Sequence, residues 1–561
     1  METQKKAMPV GVEDFRDLVT KGYHFVDKTR FIRELLDDKG VVTLITRPRR
    51  FGKTLTLSML WYFFNIEEAA EKRSLFAGLD IARAGEKYMQ EQGSRPVVFL
   101  TLKEVRSTDF TSMLTGLTEF LRKLYGEFAY LTDSDRLSAQ DKEYFSVIWN
   151  ATGKAELMKV ALSNLMNMLE KHHGIKPLLL LDEYDAPILA AWENGYYREC
   201  VDFMRGFLGS ALKTNPSLGF AVLTGVARIS KESIFSGLNN LKVCSVLTER
   251  YSDIFGFTQA EAARLMEDCG VKDKLPELKQ WYDGYLFGDT EIYNPWSVIQ
   301  FVDNGCKFQR YWINVSGNSI LGVLLKSVDE ARYEELQGLL SFRASSVEAL
   351  VDEGIIYQDI GTDSNALYMM LLTTGYLKAI EIWQDARGRW WCRLQIPNRE
   401  VLLAYEDEVL ARVAGPGSRV ALFSMLDAMT AGKAAVFQKY LGRILRDMVS
   451  FHDTAQPEAF YHGLMLGLTV LMEGEYRIES NRESGYGRFD IAFFPLKENA
   501  PGVILELKAA KSEEELEAKA REALEQIASK AYNTDLARQG VKEIWSYGIA
   551  FCGKRMWMEV R

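Results

Sequence analysis

An apolar, β-branched run from Val41 to Thr46 leads directly into Arg47-Pro48-Arg49-Arg50-Phe51-Gly52-Lys53-Thr54, and a helical pattern continues to about Phe64. Buried strand, tight loop and helix in immediate succession are the context of a phosphate-binding loop in a parallel sheet. Gly52 allows close backbone approach to an anion, and the free N–H groups at the helix start attract one. Lys53 is placed to reach the terminal phosphates of a nucleotide and Thr54 to hold Mg²⁺. Arg49, Arg50 and Phe51 complete the expected loop. One position departs from the G-x-x-x-x-G-K-[ST] pattern: Arg47 stands where its first glycine would be. The three arginines either add phosphate contacts or fold the loop differently.

A second apolar run ends in Leu180-Leu181-Asp182-Glu183-Tyr184-Asp185. A strand ending in Asp-Glu is the Walker B pattern, in which Asp182 contacts Mg²⁺ and Glu183 polarises the attacking water. Asp185 reads as a helix N-cap. A strand from Pro96 to Leu102 fits the one that AAA-type ATPases insert between the two motifs. Another, Gly219 to Thr224, ends in a polar residue that resembles sensor 1 of those proteins. Thr224 and Arg228 are therefore candidate γ-phosphate sensors; an ordinary strand end and a surface arginine are the alternative.

The last quarter holds charges inside apolar strands. Gly487-Arg488-Phe489-Asp490-Ile491-Ala492 carries Asp490, and Val503-Ile504-Leu505-Glu506-Leu507-Lys508 carries Glu506 and Lys508 two apart, on one face. Such burial is costly unless compensated. A hard divalent cation, Mg²⁺ or Mn²⁺, compensates two carboxylates and handles phosphate oxygens. The D…E-x-K arrangement resembles the PD-(D/E)XK nuclease superfamily. That resemblance implies catalytic Asp490, Glu506 and Lys508. It also implies a further acid on an upstream helix, Glu458, with Glu483 competing for the role, and Gln526 in a following helix with Tyr532. The expected order is helix, three strands, helix, and a strand over about 543–551.

Net charge is −9, which argues against bulk coating of nucleic acid but not against a local basic groove. Basic residues look scattered, without a stripe. The six cysteines lack metal-like spacing and read as reduced thiols. No apolar run reaches membrane-span or signal-peptide length, so a cytoplasmic protein without membrane contact is expected. Thr258 opens a capped helix, the start of a lid. The aromatic turns over 281–296 read as packing. Residues 297–430 are mostly helical, with a hairpin around Asp385-Ala386-Arg387-Gly388.

Together, Ile45 to Thr54, Leu180 to Asp185, Ser233 to Asn240 and Tyr282-Asp283-Gly284-Tyr285 resemble the bacterial AAA-ATPase-like proteins that carry a C-terminal PD-(D/E)XK nuclease domain. The expected fold class is α/β. It comprises an N-terminal P-loop (AAA-type, ASCE) parallel-sheet domain with lid over 1–285 and a mostly helical, winged-helix-like connector over 286–430. A restriction-endonuclease-like α/β domain follows over 431–561. The resemblance implies ATP and Mg²⁺ as cofactors, nucleic acid (DNA in preference to RNA) as partner, and self-association through the ATPase domain. The expected function is ATP-regulated cleavage of phosphodiester bonds. The alternative is a nucleotide switch, in mobile-element transfer or phage defence, that binds nucleic acid or a partner without turnover.

Overall fold

The computed structural model describes residues 6–561 except 214, 229–234, 236–239, 313–345, 353, 355–356, 358–362, 406–418, 449–460, 463–464, 466–471, 473–474, 481–482 and 485–486. Described residues up to Val401 form one compact unit, and those from Leu402 onward form a second.

The first unit is built on a parallel sheet. Its strands are β1 (Val42–Thr46), β2 (Val97–Thr101), β3 (Leu178–Asp182), β4 (Ala221–Gly225) and β5 (Leu241–Cys244), in the order β2-β3-β4-β1-β5. β1, β3 and β4 are buried along their whole length, as expected of strands covered on both faces. β4 lies between the loop strand β1 and the acidic strand β3, and the expected strand over 96–102, which falls between the two motifs in sequence, is the edge strand β2 beside β3. The register sets Ile45 beside Thr224 and Thr101 beside Asp182, so the loops leave from one edge. Helix α1 (Lys53–Phe64) follows β1, and α2 (Ala186–Asn194) follows β3.

Thr258 caps the helix Gln259–Asp268 through a reciprocal capping box with Glu261. The aromatic turns pack as expected, with Trp281 stacked on Phe308 at 6.0 Å. The hairpin of Lys378–Gln384 and Trp390–Gln395 is joined by a third antiparallel strand, Val347–Leu350.

The second unit begins with helices α3 (Arg419–Thr430) and α4 (Ala434–Met448). Its mixed sheet runs in the order β6 (Tyr476–Ser480), β7 (Ile491–Pro495), β8 (Gly502–Ala509), β9 (Ile544–Cys552) and β10 (Arg555–Val560). Only β8 and β9 are parallel. Helix α5 (Leu516–Ser529) is the crossover between them. Val503, Leu505 and Leu507 face a core shared with α3 and α4. Ile504 faces the opposite core with Ile527 and Tyr532. Glu506 and Lys508 share the face of Ile504 by alternation. The edge strand β10 extends the expected order; its alternating buried Met556, exposed Trp557 and buried Met558 pair it to β9 on one face. No helix among the described residues is long and apolar enough to cross a membrane.

Candidate active sites

Two strand ends and one helix start of the first unit meet at Asp182. This carboxylate is fully buried. Its Oδ2 accepts from Thr54 Oγ1 at 2.6 Å and its Oδ1 from Thr224 Oγ1 at 2.5 Å. The first residue pair of α1, the end of β3 and the end of β4 are thereby tied together. An oxygen cluster of one carboxylate and one hydroxyl suits a hard cation, so Thr54 and Asp182 fit Mg²⁺.

The loop itself is anchored from below. Arg47 is wholly buried. Its Nη1 donates to the carbonyls of Thr46 at 2.9 Å and Cys244 at 3.1 Å, and its guanidinium lies 4.6 Å from the Phe287 ring. The arginine in the glycine position is therefore a core strut joining β1 to β5 and is turned away from any phosphate. Phe51 is also buried, against Tyr285 at 5.0 Å. Arg50 and Gly52 take positive φ, 69° and 82°. The guanidinium of Arg50 stacks 4.3 Å from the Trp296 ring. Lys53 Nζ donates to the loop carbonyls of Arg47 at 3.0 Å and Pro48 at 2.8 Å. Burial pulls the Lys53 ammonium pKa down, opposed by Glu183 and Asp182.

Glu183 follows Asp182 at a φ of 48°, a left-handed conformation uncommon for a residue with a side chain. Its Oε2 lies 3.8 Å from Arg106 Nη2. Asp185 occupies the N-cap position of α2 but makes no capping bond there. Its Oδ2 instead accepts from the backbone N–H groups of Val226 at 2.8 Å and Ala227 at 3.0 Å. The N-cap expectation is thus corrected: Asp185 ties α2 to the turn after β4, and burial raises its pKa. Arg228 follows that turn half-buried, and no hydrogen bond brings its Nε to the loop among the described residues.

Gly52, Lys53, Thr54 and Glu183 border a cavity of about 400 Å³ that continues between Phe25, Val26, Ile254 and Trp296. Charged loop residues and apolar side chains both line it, which suits a nucleotide with its phosphates on the loop. Behind the loop, Trp312 Nε1 donates to the Arg49 carbonyl at 3.1 Å. The Trp312 and Tyr311 N–H groups both donate to the buried Glu400. Arg106, Trp312 and Glu400 escaped sequence reasoning, since each acquires its role only through contacts made by folding.

The second unit assembles the other acidic cluster at the carboxyl ends of β8 and β9. Asp490 immediately precedes β7, and its Oδ2 accepts from the Leu507 N–H at 2.7 Å. Glu506 is 2% exposed. Its Oε1 accepts from Gln526 Nε2 and faces Lys508 Nζ at 3.7 Å. Its Oε2 is buried with no hydrogen-bond partner. Burial first, and then the charge of Asp490, push the Glu506 carboxyl up to about 8. A bare carboxylate oxygen beside a second carboxylate and a lysine fits a divalent cation.

Gln526 is aligned by α5 and by its 3.2 Å bond to the Tyr532 hydroxyl. Gly548 pairs with Glu506 across the ladder. A Cβ at Gly548 would stand 2.2 Å from the Ala520 carbonyl oxygen, so only glycine lets α5 lie this close to β9 and brings Gln526 within reach. Glu458 lies outside the described residues, and Glu483 is described by backbone alone, in a two-residue ladder with 487–488. His462 Nε2 sits 3.2 Å from the Asp490 carbonyl and 3.0 Å from Ser480 Oγ, a neighbour that sequence reasoning did not connect to the site. Among the described residues no set of three or more His, Cys, Asp and Glu side chains is poised for a metal; the carboxylates here number two.

Comparison with known proteins agrees with this division. Residues 9–235 match the family described as predicted AAA-ATPase, and residues 456–561 match the PD-(D/E)XK nuclease superfamily. The chain is also 26% identical over 496 residues to a protein of Azotobacter chroococcum mcd 1 described as an uncharacterized protein in the vnfD 5′ region. That match covers 84% of this chain and 85% of the relative.

Proposed function

We propose that this chain, which joins an AAA-ATPase-like domain to a PD-(D/E)XK nuclease-superfamily domain, hydrolyses ATP at the first and cleaves DNA phosphodiester bonds at the second. At the ATP site Lys53 leaves the carbonyls of its own loop for the terminal phosphates. Thr54 and Asp182 would hold Mg²⁺. Glu183, freed from Arg106, accepts a proton from the attacking water. Thr224 keeps Asp182 oriented.

At the nuclease site Asp490 and Glu506 would hold Mg²⁺ or Mn²⁺, which when bound supplies a Lewis acid for the scissile phosphate. Gln526 fixes the rotamer of Glu506. Lys508 is close enough to stabilise negative charge building on the phosphate. The observation that carries the nuclease reading is the buried, unpartnered Oε2 of Glu506 beside Asp490. A purely structural ion pair with Lys508 has no use for that second oxygen. Nucleotide state then gates cutting. Six free cysteines accord with a reducing compartment, and we place the protein in the cytoplasm.

The test is cleavage of labelled single- and double-stranded DNA and RNA with Mg²⁺ or Mn²⁺, with and without ATP. It is run on wild type, Asp490→Ala and Glu183→Gln. Cutting that disappears in Asp490→Ala establishes the nuclease. Cutting that ignores both ATP and Glu183→Gln removes the gating. Intact ATP turnover without cleavage of any substrate overturns the nuclease half.

A further inference from the structure

Basic residues that look scattered along the chain come together on the second unit. Helix α4 buries Phe437, Leu441, Ile444 and Leu445 in the core. Its other face exposes Lys439, Arg443 and Arg446, at helical spacings of four and three. Tyr440 lies between them, with the Lys439 ammonium 6.0 Å from its ring centroid. The C-terminal end of this stripe is fastened to the β9–β10 turn, where exposed Lys554 donates from Nζ to the Arg446 carbonyl at 3.1 Å.

That turn sits at one particular end of the sheet. β8 and β9 run parallel with Lys508 beside Ala550 and Ala509 beside Phe551. The β9–β10 turn therefore leaves from the same end that holds Asp490, Glu506 and Lys508. Lys554 carries the α4 stripe to that end of the sheet, on the face opposite Glu506 and Lys508. Arg555 next to it is engaged by Glu513 at 3.5 Å. Like charges spaced along one helix face cost the isolated helix a few tenths of a kcal/mol per pair. A polyanion laid along them offsets that cost.

We propose that Lys439, Arg443, Arg446 and Lys554 form the track that holds the phosphate backbone of DNA as it passes around the end of the sheet that carries Asp490 and Glu506. The inference rests on the nuclease reading but concerns where the substrate lies. From Lys439 to Arg446 the helix rises about 10 Å, the axial span of roughly three phosphates of one strand. The side chains are flexible point or fork charges on an exposed face. They read the backbone and not base edges, so binding through the track is independent of sequence.

The experiment measures binding of a fluorescent mixed-sequence DNA duplex to the full chain by anisotropy, in EDTA so that no cutting intervenes, across a range of salt. The variants are the triple Lys439→Glu, Arg446→Glu, Lys554→Glu and its Gln counterpart. Lys497→Glu, an exposed residue at the opposite end of the sheet, is the control. The triple reversal is expected to weaken binding roughly tenfold or more and to lower the log–log salt slope by about 2 to 3, since each lost phosphate contact removes about 0.9. The Gln version is expected to fall between, and Lys497→Glu to match wild type. Unchanged affinity and slope in both triple variants, with unfolding temperatures equal to wild type, overturn the track and leave the nuclease reading standing. Wild type that binds RNA alone, or no nucleic acid, overturns it as well. Track-dependent binding by a protein that never cuts supports the track and removes only the cleavage.

Discussion

The guanidinium of Arg106 stands 3.8 Å from the carboxylate of Glu183, the residue placed to take a proton from water. A carboxylate engaged by a guanidinium is not free to turn toward an attacking water. Arg106 comes from the segment just after β2, and Glu183 from the end of β3. A movement of the β2 loop is enough to separate them.

We therefore expect Arg106→Ala to raise basal ATP turnover by roughly two- to fivefold with little change in KM, as for removal of a restraint on the base. Glu183→Gln should lower kcat by about 100-fold or more while ATP binding persists. Steady-state phosphate release checks both. A drop in kcat for Arg106→Ala would assign the arginine to the phosphates instead.

Thr224→Val keeps the volume of the side chain but leaves Asp182 Oδ1 without its donor. A buried acceptor stripped of its partner costs about 1–3 kcal/mol. Urea unfolding of the transition that includes the first unit should move by that amount, and Mg·ATP affinity should fall with it. Equal stability and affinity would show that Asp182 is oriented by Thr54 alone.

Glu400 accepts from Ser297 Oγ at 2.7 Å and from two backbone N–H groups, yet burial still pushes its carboxyl up to about 7. A folded-state value above the unfolded one means that the folded chain binds the extra proton. Its contribution to stability is thus complete below about pH 4.5 and is lost as pH rises toward 7. Glu400→Gln keeps an acceptor and removes the titration. The unfolding temperature of the variant should vary less between pH 5 and 8 than that of wild type, as followed by differential scanning fluorimetry.

Mn²⁺ should raise the unfolding temperature of the second unit's transition, because a ligand that binds only the folded state stabilises it by mass action. Glu506→Gln and Asp490→Ala should each abolish that shift. Glu506→Gln should also raise the metal-free unfolding temperature at pH 8, since it removes a costly buried charge. A metal shift that survives both substitutions would place the ion elsewhere.

Gly548→Ala should push α5 outward by forcing a Cβ against Ala520 and Leu524. Overpacking of this kind costs typically 1–3 kcal/mol. It also separates Gln526 from Glu506, so cleavage should fall further than stability alone accounts for. Urea midpoints and cutting rates measured on the same preparation separate the two effects.

The strands β1 and β3 were legible because each is an apolar run ending in a motif, Gly52-Lys53-Thr54 for one and Asp182-Glu183 for the other. Asp490, Glu506 and Lys508 were legible because charges stand out inside apolar strands. Arg47 was not, since a basic residue beside a phosphate loop fits either a phosphate contact or a differently folded loop, and only the carbonyls of Thr46 and Cys244 reveal it as a strut. Asp185 looked like a cap because its position is one, while its partners arrive from the far side of β4. The stripe on α4 meets Lys554 across most of the second unit's sequence, a proximity that local pattern cannot encode.

The buried guanidinium of Arg47 has a thermodynamic consequence for ligand capture. A glycine-rich loop samples many shapes, and a nucleotide must select one at an entropic cost. Here the loop's first residue is bolted to β5 by a cation that does not lose its proton in proteins, and Arg50 is stacked on Trp296. The loop enters the encounter already close to a single shape at any ordinary pH. Little conformational freedom is left to surrender, and more of the interaction energy is expressed as affinity.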